Sequence, residues 1–137
     1  MPYWRLFYHV IWSTRGREPL IQTDWSPRLY AAVTAKAQSL HAIVHAVGGT
    51  EDHVHVALSI PPSVRLSEIV GQMKGSSTHL VNGELEPGSG FAWQASYGVV
   101  SFGEQDLPKI VRYIQQQNEH HRRGSLSVEL ERMGTPE

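Results

Sequence analysis

The chain has 137 residues, 40% of them hydrophobic, enough for one domain with a proper core, and no second domain is expected. It contains no cysteine, which excludes a disulfide framework, a thiolate zinc site, an iron–sulfur cluster and a cysteine nucleophile; any metal must be held by nitrogen and oxygen. With a formal net charge of −1 and a pI near 6.7 there is no global signature of a polyanion binder, so a nucleic-acid partner would require a local positive patch.

Met1 to Val10 mixes Arg5 and His9 with apolar residues and lacks a long apolar core, so no secretory signal or membrane span is expected and the cytoplasm is the default location. Tyr3 to Ser13 is aromatic and β-branched nearly throughout, the pattern of a strand buried on both faces and central in its sheet. Thr14 to Pro19 breaks that pattern with charge, Gly and Pro; its Arg15 and Arg17 are candidate phosphate contacts on what also reads as a solvated loop. Ser26-Pro27 reads as an N-cap and first helical residue, and Leu29, Val33, Ala37 and Leu40 carry a first helix to about His41. Ala42 to Val47 resumes a strand, Gly48 to Glu51 supplies a turn, and the run through His53 forms the second arm of an antiparallel hairpin that Pro61-Pro62 ends.

From Ser63 the apolar residues Leu66, Ile69, Val70, Met73 and Leu80 repeat at helical spacing. Asn82 to Gly90 reads as a loop, and Phe91, Trp93, Tyr97, Val99 and Val100 lead into a strand ending near Ser101. A last helix is expected from about Leu107 to Arg122, with Pro108 in its first turn. The order predicts an α+β fold of the ferredoxin-like split βαβ type. Its four-stranded antiparallel sheet carries two helices on one face and the C-terminal helix on the other, in a single domain over 1–137.

Within this frame Asp52-His53-Val54-His55-Val56 stands out. Strand side chains alternate, so His53 and His55 share one face while Val54, Val56, Leu58 and Ile60 line the other. Two imidazoles so placed are either exposed polar residues on a half-buried strand or ligands of one divalent ion whose shell oxygen donors complete. Of the eight histidines, the others being His9, His41, His45, His79, His120 and His121, most read as solvated or satisfied locally and only a subset can converge on one site. The apolar residues of the last helix stop at Ile114, which predicts a helix loosely held or docked on another subunit. Tyr113 and Gln117 are one turn apart on one face. If that face meets the histidines, Gln117 offers an amide oxygen as a third ligand for Mg²⁺ or Mn²⁺, and Tyr113 becomes a candidate nucleophile toward phosphorus. A surface Tyr and a solvated Gln is the competing reading.

Tyr8 to Thr14, Asp52 to His55, Ile69 to Ser77, Phe91 to Tyr97 and Tyr113 to Gln117, taken together and in order, resemble the single-tyrosine HUH transposases, the TnpA type that mobilises the smallest bacterial insertion sequences as single-stranded DNA. The resemblance implies that Tyr113 attacks a single-stranded phosphodiester, forming a 5′-phosphotyrosine link that a 3′-hydroxyl later resolves. It implies that His53, His55 and Gln117 hold the ion with Asp52 orienting a histidine or the ion from behind. It also implies a homodimer whose sites are completed in trans, acting on DNA with a hairpin. Lys74 and Ser76, near the expected catalytic face, and Arg15, Arg17, Arg112, Arg122 and Arg123 are candidate DNA contacts. Three rival readings share these residues: a domesticated, repeat-associated HUH nuclease, a non-catalytic DNA-binding module, and a metal phosphoesterase that uses water in place of Tyr113.

Overall fold

The computed structural model describes residues 3–117. The expected extension of the last helix to Arg122, together with His120, His121, Arg122 and Arg123, lies outside the described residues.

Four strands form one antiparallel sheet in the order β2-β3-β1-β4: β1 (Phe7–Ser13), β2 (Ile43–Gly49), β3 (His53–Ser59) and β4 (Gly98–Phe102). Helix α1 (Ser26–Ser39) follows β1, α2 (Leu66–Leu80) follows β3, and α3 (Leu107–Gln115) follows β4. Strands β1 and β3, which are buried along almost their whole length, pair at the centre. They do so because both of their faces are covered, which a solvated edge would not allow.

The alternation along β1 and β3 divides the protein into two layers. Val10 and Trp12 of β1 and Val54, Val56 and Leu58 of β3 pack against Leu29, Val33 and Ala37 of α1 and Ile69, Val70 and Met73 of α2. Each large side chain fully buried there contributes roughly 1.5–3 kcal/mol. On the other face Ala46, Ala57, Ile110 and Ile114 form a smaller cluster beneath α3.

Three local expectations shift. The pair Gly48-Gly49 belongs to β2 and the turn falls at Thr50 to Asp52, where the Thr50 N–H donates to the His53 carbonyl. These glycines serve close approach, because a Cβ at Gly48 would press on the Ile114 backbone and one at Gly49 on the His53 carbonyl. Residues Val81–Leu85 continue α2 as a wide helical turn where a loop was expected. Only Gly98–Phe102 forms β4; Phe91 and Trp93 turn inward onto the larger core, and Trp93 bridges to Thr14. Among the described residues no helix is long and apolar enough to cross a membrane.

Candidate active site

His53 and His55 sit side by side on the α3-facing side of β3, and both are fully buried at 0% exposure. The expectation of an exposed imidazole face is therefore corrected: β1 and β2 flank the strand, and α3 lies over it. The His53 Nδ1 is 2.7 Å from Asp52 Oδ1 and 3.0 Å from Thr50 Oγ1. Burial alone would raise the Asp52 carboxyl. Its hydrogen bond with His53 and the nearby charge of Arg17 outweigh that and hold it at about 2. An ionised carboxylate only accepts, so His53 Nδ1 carries a proton, which leaves Nε2 as the nitrogen that could ligate a cation. Arg17, 3.3 Å from Asp52, supports this pair from a left-handed backbone conformation with φ of 55°. Its guanidinium faces that carboxylate while half of the side chain stays exposed.

His55 is held by a residue that sequence reasoning passed over. His9 on β1 is buried, and its Nε2 lies 2.7 Å from His55 Nδ1 with the rings stacked at 5.0 Å. The available signal was its parity: Phe7, His9 and Ile11 alternate with Tyr8, Val10 and Trp12, so His9 falls on the imidazole face of the strand next to β3.

The tyrosine comes from α3. Ile110, Tyr113, Ile114 and Gln117 are all buried, and their 3-1-3 spacing is one helical stripe turned toward the sheet. That stripe corrects the expectation of a loosely held helix: α3 packs on the sheet of its own chain, where Gly48 admits the Ile114 carbonyl. Tyr113 stands edge-on to His55, with ring centroids 5.8 Å apart and planes at 75°. Gln117 follows the end of α3 and is only 1% exposed.

The proposed DNA contacts are dispersed. Helix α2 lies against the valine face, so Lys74 and Ser76 are across the sheet from the histidines, a correction to their expected position near the catalytic face. The Lys74 ammonium donates to the carbonyls of Gln94, Ala95 and Ser96 at 2.7, 3.1 and 3.1 Å, matching its three hydrogens. It clamps that loop instead of reaching for phosphate. Gln94 in turn accepts a hydrogen bond from Ser13, the cross-strand neighbour of His53. Ser76 is half-buried, whereas Arg15 and Arg112 are exposed.

Among the described residues no three His, Cys, Asp or Glu side chains form a metal-holding group. The imidazoles of His53 and His55 are each engaged at Nδ1, and the buried Gln117 lies one helical turn beyond Tyr113 as a possible oxygen donor. A buried, neutral nitrogen and oxygen set of this kind fits a divalent ion such as Mn²⁺ or Mg²⁺ that keeps further positions for phosphate or water, and does not resemble a closed structural zinc site.

The ISDra2 transposase TnpA of Deinococcus radiodurans is 25% identical over 121 residues, covering 85% of this chain and 86% of that protein. A crystal structure described as a transposase from D. radiodurans R1 superposes with a TM-score of 0.68 at 24% identity, covering 85% of this chain and 95% of that one. A REP-associated tyrosine transposase bound to a REP hairpin superposes with a TM-score of 0.66 at 17% identity, covering 88% and 74%. At these identities the two structures establish the shared fold. The model of the family described as "Transposase IS200 like" matches residues 2–117, most of the chain. The chain therefore belongs to the IS200-like, single-tyrosine HUH transposases, DNA transposases that cut DNA and transfer its strands.

Proposed function

We propose that the chain cuts and rejoins single-stranded DNA by transesterification, with Tyr113 as nucleophile and His53, His55 and Gln117 holding one Mg²⁺ or Mn²⁺. The observation that carries this reading is the 5.8 Å approach of the Tyr113 ring to His55 within one chain. The Tyr113 phenol gives up its proton as its oxygen bonds to phosphorus, the P–O3′ bond breaks, and the 3′ oxygen takes up a proton and leaves as a hydroxyl. In the return step a 3′-hydroxyl gives up its proton, attacks the phosphotyrosine, and Tyr113 departs as the phenol. One P–O bond replaces another each time, so no ATP is required. A bound cation would supply charge neutralisation at the non-bridging phosphate oxygens. Asp52 holds the His53 ring in place, and the burial of Tyr113 restricts water around the ester it forms.

The substrate we infer is a single strand carrying a hairpin, in keeping with the hairpin held by one structural relative. Two chains can pair as a homodimer, but the contact between Tyr113 and His55 favours a site completed in cis over one completed by exchange of α3. The test is incubation with Mn²⁺ and a labelled single-stranded hairpin. A covalent protein–DNA adduct that disappears in Tyr113→Phe supports the reading. Cleavage that survives that substitution identifies hydrolysis by water, and binding without cleavage identifies a non-catalytic module.

A further inference from the structure

We propose that His9 is a positioning residue: it accepts the Nδ1–H of His55 and thereby fixes the tautomer and ring orientation that let His55 ligate a cation through Nε2. This rests on the reading of His53 and His55 as metal ligands. His9 and His55 are diagonal neighbours on one face of the β1–β3 ladder, since His9 pairs with Ala57 and Ile11 with His55. The small side chain of Ala57, directly opposite, leaves room for the His9 ring to lean toward His55.

A neutral imidazole has one N–H and one lone pair. The 2.7 Å separation between His9 Nε2 and His55 Nδ1 therefore admits two arrangements. If His9 Nε2–H donates, His55 spends its lone pair at Nδ1 and carries a hydrogen on Nε2, where it cannot bind a metal. If His55 Nδ1–H donates, its Nε2 lone pair is directed to ligation, and His9 carries its own proton on Nδ1. Only the second arrangement serves the site. His53 meets the same requirement through the Asp52 carboxylate. Supporting one ligand with a carboxylate and the other with a neutral ring leaves the site one negative charge short of a paired-carboxylate arrangement, which favours the approach of anionic phosphate.

The test is Mn²⁺ binding by DNA-free protein, read by electron paramagnetic resonance, for wild type, His9→Phe and His9→Gln, with thermal unfolding as the check on folding. The phenyl ring keeps most of the volume but offers no acceptor, and the amide oxygen restores one. His9→Phe should weaken binding about 10–100-fold, and His9→Gln should recover most of that loss. Wild-type affinity in a folded His9→Phe protein, or equal loss in both variants, overturns the role. Wild-type protein that binds no Mn²⁺ overturns the metal reading itself. If His9→Phe does not fold, the ring ¹⁵N shifts of the metal-free wild type decide: a proton on His55 Nδ1 supports the assignment, and one on Nε2 overturns it.

Discussion

The backbone of Ile114 rests against Gly48: a β-carbon at residue 48 would stand 2.5 Å from the Ile114 carbonyl oxygen and 3.2 Å from its Cγ2. Gly48 is the cross-strand partner of His55, and Ile114 immediately follows Tyr113. This one contact therefore sets the height of the tyrosine helix above the imidazoles. Gly48→Ala should push α3 outward, costing about 1–3 kcal/mol of stability and slowing DNA cleavage although no chemical group is removed. Gly71→Ala on α2, where an added Cβ meets nothing within 4 Å, is the control and should hold or raise the unfolding temperature. Unfolding midpoints and single-turnover cleavage rates for both variants check the pair.

His53→Ala should abolish cleavage and also destabilise the fold. The ring is completely buried and bonded to Asp52 and Thr50, so its removal opens a cavity and strips both of a partner. A loss of roughly 2–4 kcal/mol is expected in denaturant unfolding. An exposed histidine would give almost none.

Asp52→Asn separates support from ligation by its pH dependence. The native Asp52 carboxyl, at about 2, lies below its unfolded value of 3.8. Its contribution is then fully present above about pH 4 and is lost as pH falls through about 2. Asp52→Asn should be less stable than wild type at pH 6, and the difference should shrink as both are acidified from pH 4 toward 2. A difference that stays constant over that range would show that the charge of Asp52 does not support the fold.

A mixture of His53→Ala and Tyr113→Phe chains distinguishes the two ways of building the site. With Tyr113 against His55 of its own chain, every chain in the mixture lacks one essential group, and no covalent adduct should form. Recovery toward roughly a quarter of the wild-type yield in co-expressed chains, one working site in each mixed dimer, would instead show that α3 is exchanged between partners.

Much of the architecture was legible in the chain because alternation and helical spacing are local properties. Val54 and Val56 against His53 and His55 assigned the two faces of β3, and Leu29, Val33 and Ala37 assigned α1 to the valine side. Tyr113 and Gln117 were separable from their neighbours by helical spacing alone. Helix α3 packs on the sheet although its stripe of Ile110, Tyr113, Ile114 and Gln117 contains only two aliphatic residues. It docks because Gly48 lets two backbones approach closely, a feature no periodicity encodes.

Lys74 and His9 mark the other limit. A lysine before Gly-Ser-Ser and a histidine in an aromatic strand have no distinguishing local pattern. Their roles come from three carbonyls 20 to 22 residues away and from an imidazole 46 residues away. The amino-acid order by itself determined the elements, the sheet faces and the residue types available for chemistry, since these follow from side chains a few positions apart. Only the tertiary structure decided that the Tyr113 ring stands against His55 of its own chain, that His53 and His55 are buried, and which groups hold their rings. Each of these depends on distances across strands and layers that close only when the whole chain has packed.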